Sequence, residues 1–370
     1  MSELINQNHR RNSVRLELLA GVSTVAFAIF LNNATAGEHD DSATIWVELG
    51  SQLERVDGGG ERFKPVFEAG LAQAGMLTPS SVEVDPRYSF GGEAKVTFMP
   101  SASDWRITAA IRYGRSNGGK HRYQQRPVTP VTLYHGTVAY PSQNKTSDSL
   151  SKQNEGHFVV DFKAGKDIGI GTQQGTDVTL SLGVRAAQFS SNSSLKASGL
   201  WGFYHSSPPP LHLPIINFDQ YVAQAQVARN FSGIGPSLSV DGTSAIDRSE
   251  QMNVSFDWSA NASLLFGRQK TEINSSTVDN YHHSSFLGGQ HIYPTTAIEK
   301  TIRSRSAVIP NVGGSLALSL NFPRAKVTLG YRGDFFFGAV DGGIDTRKTY
   351  DRNFYGPFAT ISIGVSPFDF

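Results

Sequence analysis

Residues 252–266, which read MNVSFDWSANASLLF, alternate between two kinds of side chain. The even-numbered positions, from Met252 through Trp258 to Phe266, are apolar, and the odd-numbered positions from Asn253 to Ser263 are polar. Because successive side chains of a strand point to opposite faces of a sheet, this pattern predicts a β-strand with one apolar and one polar face. Soluble strands average about five or six residues, whereas a tilted strand needs about nine to eleven to cross a bilayer. This strand is long enough to cross.

The same alternation recurs along most of the chain. It predicts further strands at 45–53, 88–98, 105–114, 158–165, 178–188, 218–241, 304–320, 326–338 and 354–370. Within the segment 218–241 the apolar residues move from one parity to the other near Gly233 and Gly235, and glycine at that point indicates a β-bulge. The count predicts about ten strands, with eight or twelve as alternatives.

The connections between these strands alternate in length. Short turns at 100–104, 166–176, 242–250 and 321–325 interleave with long loops at 57–85, 116–156, 190–217, 268–303 and 339–353. Short periplasmic turns and long extracellular loops are typical of transmembrane barrels. Closure of the sheet would leave no backbone group unpaired in hydrocarbon. The predicted fold class is therefore all-β, a transmembrane antiparallel up-and-down β-barrel.

A soluble sandwich or lipocalin-like barrel is the alternative, with its apolar face turned inward. The polar face here is rich in Ser, Gly, Asn and Thr and poor in Lys and Glu, unlike a soluble exterior. Aromatic residues also fall at strand ends, as in the interfacial girdles of membrane barrels: Tyr88, Trp105, Tyr113, Trp258, Phe266, Tyr331 and Tyr355.

Composition excludes several classes of protein. The 370 residues include 33 Lys and Arg against 32 Asp and Glu, and no cysteine. The near-neutral balance leaves no basic stripe for phosphate backbones, so nucleic acid is not expected as a partner. Without cysteine there are no disulfides, no thiolate zinc ligands and no thiol nucleophile.

The two ends of the sequence show patterns that predict export signals. Residues 1–36 combine Arg10 and Arg11, an apolar stretch at 16–31 and Ala34-Thr35-Ala36, which is typical of a cleaved signal peptide. A single membrane anchor is the alternative, although the apolar stretch is short and contains Glu17. The domain organisation is then a signal peptide at 1–36 and an outer-membrane barrel at 37–370. A terminal Phe370 resembles the signal read by the outer-membrane assembly machinery, although it lies out of register with the apolar face.

Charged residues on the polar faces are the candidate functional site. A lumen lined by both signs of charge favours a pore with weak ion selectivity. The alternative is that the charges pair and plug a narrow barrel, because eight strands are already filled by side chains. The candidates are Glu48, Glu93, Lys95, Arg106, Arg112, Asp161, Lys163, Arg185, Asp257, Lys326, Arg332 and Asp334.

Other chemistry is less well supported by the sequence. His282, His283 and His291 fall in the segment 268–303 but fit no metal-binding spacing, so a solvated loop is favoured and neither metal nor cofactor is expected. No nucleophile elbow or phosphate loop is present, so the chain is not expected to be an enzyme, with an outer-membrane lipase or protease as the alternative. The aromatic and proline-rich segment 190–217 is interpreted as loop packing, with partner binding as the alternative.

Four short segments carry a resemblance to a known family: FKAGKD at 162–167, LGVR at 182–185, GIGP at 233–236 and FYGPF at 354–358. Together they resemble the Legionella major outer membrane protein family, whose members are pore-forming barrels of Gram-negative bacteria. The resemblance spans roughly residues 43–370. Cysteines found in members of that family have no counterpart here.

These observations predict an outer-membrane pore for small hydrophilic solutes or ions. The alternative is a non-conducting barrel whose long loops serve surface interaction or a structural role. The partners expected are outer-membrane lipid and lipopolysaccharide, the assembly machinery, and small solutes or ions.

Overall fold

The structure is a computed structural model that describes residues 44–57, 88–101, 103–117, 121–125, 131–132, 138–139, 147–168, 176–206, 214–248, 253–285, 289–342 and 349–365. The predicted signal peptide and Phe370 lie outside these residues. No helix among the described residues is long and apolar enough to cross a membrane.

The described residues form thirteen strands. They are β1 (Thr44–Asp57), β2 (Ser89–Met99), β3 (Trp105–Asn117), β4 (His121–Gln125), β5 (Val131–Thr132), β6 (Val138–Ala139), β7 (Ser147–Asp167), β8 (Thr176–Ser206), β9 (Pro214–Arg248), β10 (Asn253–Ser285), β11 (Gly289–Asn321), β12 (Ala325–Asp341) and β13 (Thr349–Val365). Each of the large strands pairs antiparallel with its neighbours in sequence, and β3 pairs with β7.

The sheet closes between its first and last strands. β1 pairs with β13 from Ile45 opposite Val365 to Asp57 opposite Asn353. Ten strands, β1 to β3 and β7 to β13, thereby form a closed antiparallel barrel, and the prediction of about ten strands is confirmed. β4 adds to the edge of β7, while β5 and β6 form a small separate hairpin.

The outside of the barrel carries an apolar band next to the short turns. Phe90 is 78% exposed and Leu182 66%, and Ile234, Phe266, Leu316 and Leu329 also point outward. On β10 the outward side chains are apolar from Val254 to Phe266, while Asp257 and Asn261 point into the barrel, as the alternation predicts. Such large exposed apolar surface is what a bilayer-spanning barrel presents to lipid.

Four strands continue far beyond this band. β8, β9, β10 and β11 have 31, 35, 33 and 33 residues. β10 runs from Phe266 on to Ser285, roughly 60 Å of extended chain at about 3.3 Å per residue. We call the parts of β8 to β11 beyond the band the extension. The prediction of long loops at 190–217 and 268–303 was therefore wrong in large part, since strand covers 190–206, 214–217, 268–285 and 289–303.

The predicted bulge at Gly233 and Gly235 is also wrong. The pairing of β9 with β10 keeps one register on both sides of these glycines, and its irregularity lies between Val254 and Ser255 instead. Even-numbered side chains of β9 face outward on both sides of Gly233 and Gly235, but the polar and apolar residues exchange faces between the two sides. Outward residues of β9 are apolar at Ile234 and Leu238 but polar at Asn230 and Ser232, and inward residues change from Ser237 and Ser239 to Phe231 and Val227.

A true bulge lies in β12, between Phe336 and Val340. Gly338 there has a φ of 67°, a left-handed conformation that glycine adopts without the steric cost of a Cβ. The bulge turns Ala339, Val340 and Asp341 into the interior together. It therefore adds inward-facing side chains at the height where the outside of the barrel leaves the band.

Candidate functional site: the barrel lumen

The interior of the barrel is filled by side chains arranged in layers along the strands. All twelve candidate residues lie on inward-facing positions, so the prediction of their orientation agrees with the structure. They do not form one open ring, however, because most of them pair with one another. Whether they line a pore stays a prediction.

Nearest the short turns lies a partly exposed polar layer. Lys95 Nζ lies 2.9 Å from Glu48 Oε2, and Lys326 Nζ lies 2.5 Å from Asp257 Oδ2. Lys163 donates a 3.1 Å hydrogen bond to Ser239. The lysine side chains at 95 and 326 are 34% and 27% exposed. Of the candidates, Arg106 and Lys163 face the lumen without an ion-pair partner among the described residues, and Lys163 has its hydrogen bond to Ser239 instead.

The next layer, which we call the charged layer, is enclosed. Arg185 is 1% exposed and binds Asp161 with both ends of its guanidinium fork, at 2.6 and 3.0 Å. Its remaining nitrogen donates to Asn261 and Asn311. Arg112 pairs with Asp334 and lies 3.7 Å from Asp161. Strands β3, β7, β8, β10, β11 and β12 thus meet across the lumen.

A third ion pair belongs to this layer. Arg332 pairs with Glu93, and its guanidinium carbon lies 4.4 Å above the ring of Phe358. Buried charges need partners because an unpaired one would be costly to desolvate. The described charges of this layer have such partners, which means that they bridge opposite walls of the barrel. This pairing agrees with the first part of the alternative prediction, and whether the paired charges plug the barrel stays a prediction.

Immediately beyond the charged layer the lumen is apolar. We call this cluster the apolar plug; its members are Val56, Val159, Ala187, Phe189, Phe231, Leu265, Ile309, Phe336, Ala339, Val340 and Phe354. Phe231, Leu265 and Phe336 have no exposed surface. The ring of Phe189 lies 4.6 Å from that of Phe336 and 5.5 Å from that of Phe354, centre to centre. Strands from opposite sides of the barrel therefore meet through aromatic contacts.

A buried carboxyl and a buried imidazole, those of Glu54 and His157, lie side by side at the border between the charged layer and the apolar plug. Gly91 and Gly114 are register partners on β2 and β3. The side chains of Glu54 and His157 occupy the space over Gly114, with 3.2 Å between Glu54 Oε1 and His157 Nδ1. The His157 ring packs 4.1 Å from that of Phe354. The adjoining cavity is about large enough for a single water molecule.

Above the plug, polar side chains fill the interior again. Arg352 Nε lies 2.9 Å from Glu155 Oε2, and Arg303 donates a 2.9 Å hydrogen bond to Asp341. Arg305 donates to Gln269, whose amide nitrogen donates to the carbonyl of Gly338 at the bulge. The contacts of Arg303, Arg305 and Gln269 connect the extension next to the band to β12, while Arg352 and Glu155 connect β13 to β7.

Some of these residues were within reach of sequence analysis and others were not. Asn261 lies on the polar face of the stretch 252–266, so its parity signals an inward position. Phe189, Phe231 and Phe336 give no such signal, because an apolar residue in a membrane strand is expected to face lipid. His282 and His283 lie on β10 and His291 lies on β11, so the prediction of a loop for these residues is wrong. No group of three or more metal-ligating residues occurs among the described residues.

Comparisons with known proteins give only distant likenesses. No family model matches the chain, and no curated protein matches it. The outer membrane protease OmpT of Escherichia coli is similar in structure, with 13% identity, a TM-score of 0.32, and coverage of 90% of this chain and 99% of that one.

Two further solved structures are similar at the same level. The toluene transporter TodX of P. putida has 8% identity and a TM-score of 0.25, covering 89% and 91% of the two chains. The transport unit of the autotransporter AIDA-I from Escherichia coli has 8% identity and a TM-score of 0.22, covering 93% and 97%. Likenesses of this size do not extend the function of any of these proteins to this chain.

Proposed function

We propose that this chain is an outer-membrane protein whose barrel is closed to solutes and which acts at the cell surface through its extension. The single observation that carries the proposal is the apolar plug stacked on the charged layer. Conduction needs a continuous wet path of weak binding sites. Phe231, Leu265 and Phe336 lie without exposed surface inside the barrel, at the end of the apolar band away from the short turns, where such a path would have to run.

The extension supports a surface role. β8 to β11 continue well beyond the apolar band, and residues 291–300 of β11 are exposed on both faces of the sheet. Because the extension consists of paired strands, it has a defined shape that a partner could recognise. The barrel would then serve as its anchor in the membrane, consistent with the paired and packed interior.

The pore is the second candidate function. It is favoured by the polar layer near the short turns, where Lys95 and Lys326 keep part of their side chains exposed. It requires the plug and the charged layer to open. In that state Arg112 and Arg332 would line the path and set its ion selectivity.

Single-channel recording in a planar bilayer separates the two functions. The full chain is refolded, its folding is verified by resistance to heat in detergent, and unfolded protein serves as the control. The closed barrel is expected to give no conductance steps. Regular conductance steps that require the folded protein would overturn the closed barrel and support the pore. In that case Arg112→Gln or Arg332→Gln should shift the reversal potential. Resistance to heat without any steps would overturn the pore.

A further inference from the structure

The outward face of β9, β10 and β11 changes from apolar to cationic within two residues. Ile234, Phe266 and Val308 are register partners and form the last apolar row of the band. The next outward row is Ser232, Arg268 and Ser306, and the row after it is Asn230, Lys270 and Ser304. We call these six residues the collar patch.

The collar patch consists entirely of side chains that can donate hydrogen bonds. Two are cations, three are hydroxyls and one is an amide, and all six are exposed. Arg268 has no ion-pair or hydrogen-bond partner among the described residues. Lys270 Nζ lies 3.8 Å from Glu272 Oε2, and Lys300 lies closer to the same carboxylate, at 3.1 Å. Glu272, the first outward-facing carboxylate along β10, thus lies beyond both rows and is already paired with Lys300.

The position of the collar patch along the barrel axis determines which part of the bilayer it contacts. Two residues along a strand advance about 6.6 Å, so Arg268 lies just past the point where Phe266 leaves the hydrocarbon. At this height a bilayer presents its headgroups, and basic residues next to a membrane-buried surface attract anionic ones. An anionic lipid could place its acyl chains on the Ile234, Phe266 and Val308 row while its phosphate meets the cations above.

We propose that the collar patch binds the phosphate groups of lipopolysaccharide, on the lipid A that forms the outer leaflet. This inference rests on the proposed outer-membrane location, with the extension outside the cell. The patch lies on the outer surface and has no buried pocket, so a free phosphate ion would gain only the two cations. Lipid A gains the same charge contacts together with contact to the apolar row, and it is therefore the ligand that fits.

Native mass spectrometry of the folded full chain in detergent tests this assignment. The probes are bisphosphorylated lipid A and the same lipid without its phosphates, each titrated against the wild type and the double variant R268Q/K270Q. At about fivefold per cation, the variant is expected to bind the phosphorylated lipid roughly thirty-fold more weakly. Binding of the dephosphorylated lipid should not change between the two proteins.

The matched control is K166Q, which removes an exposed outward lysine near the short-turn end of β7. It should bind phosphorylated lipid A like the wild type. Equal binding by wild type and R268Q/K270Q, or an equal loss in K166Q, would overturn the site. Displacement of lipid A by equimolar inorganic phosphate would overturn the lipid as its ligand. Conductance in the planar bilayer would contradict the closed barrel but leave this binding result standing, so the two failures are distinguishable.

Discussion

At the scale of single residues, the space over Gly114 is as important as any charge. An added Cβ would collide with the His157 ring and lie 2.7 and 2.8 Å from the two carboxylate oxygens of Glu54. Both neighbours are enclosed, so they have little room to move. The missing side chain is therefore what allows a carboxyl and an imidazole to lie side by side against the barrel wall.

We expect Gly114→Ala to lower the free energy of unfolding by about 1–3 kcal/mol, the usual cost of overpacking. Urea unfolding of the folded barrel in detergent measures the change. Gly92 is the matched control, because no atom lies within 4 Å of an added Cβ on this neighbouring strand. Gly92→Ala should be neutral or slightly stabilising. A Gly114→Ala protein as stable as the Gly92→Ala protein would contradict the packing described.

Arg185 holds the charged layer together from a single position. It reaches Asp161 on β7, Asn261 on β10 and Asn311 on β11. Replacement with methionine would leave the buried Asp161 carboxylate without its main partner. Because breaking a buried pair from one side typically costs about 3–5 kcal/mol, Arg185→Met should lower the free energy of unfolding by that amount.

The same urea titration measures the effect, with Arg106→Met as control. Arg106 also faces the lumen but has no ion-pair partner among the described residues, so its replacement should cost less than about 1 kcal/mol. Similar losses in the two variants would mean that the network around Arg185 contributes nothing beyond an ordinary lumen side chain.

At the scale of elements, lipid and water on the outside explain which strands the sequence could predict. Within the band, apolar residues alternate with polar ones, and this alternation predicts strands such as the one at 252–266. Beyond it the outside is water, so β8 carries Gln188 and Asn192 outward and Phe189 inward. Gln, Ser, Asn and Thr in such segments resemble a loop, and the inversion in β9 resembles a bulge. The alternation of the sequence predicts that the charges of the charged layer face inward. Which charge pairs with which depends on the strand register, which the sequence does not show.

A cross-strand charge pair links β10 and β11 beyond the band. The Lys300 ammonium donates to Glu272 across the two strands and holds the pKa of that carboxyl below its ordinary value, with help from Asn274. A carboxyl with a lowered pKa contributes stability above its unfolded pKa and loses it as the pH falls through the folded one. This contact should therefore weaken as the pH falls through the folded pKa of Glu272.

NMR titration of the Glu272 carboxyl measures this effect directly. In Lys300→Gln its pKa should rise toward 4.5, the ordinary value. Lys270→Gln is the matched control, since Lys270 lies farther from the carboxylate and should change the pKa less. An unchanged pKa in Lys300→Gln would show that the strand pairing does not bring the two groups together in solution.

At the scale of the whole molecule, the proposal requires the extension and the short turns to lie on opposite sides of the membrane. The absence of cysteine from the sequence permits a clean test with single substitutions. Thr296, on β11, is exposed at the far end of the extension, and Ser103 is exposed in the short turn between β2 and β3.

A membrane-impermeant maleimide should label Thr296→Cys on intact cells and label Ser103→Cys only after the outer membrane is permeabilised. The wild type, which has no thiol, sets the background. The reverse pattern would place the extension in the periplasm and would remove the basis for a surface role.

The seam between β1 and β13 constrains how this molecule can be made. Its eleven register pairs join residues about 300 positions apart in the chain, so no earlier stage of synthesis can supply them. Until the last strand is added, the sheet has two edges whose backbone N–H and C=O groups are unpaired, and burying such groups in hydrocarbon is costly. Insertion must therefore either wait for the finished polypeptide or proceed under a chaperone that occupies both edges until they meet.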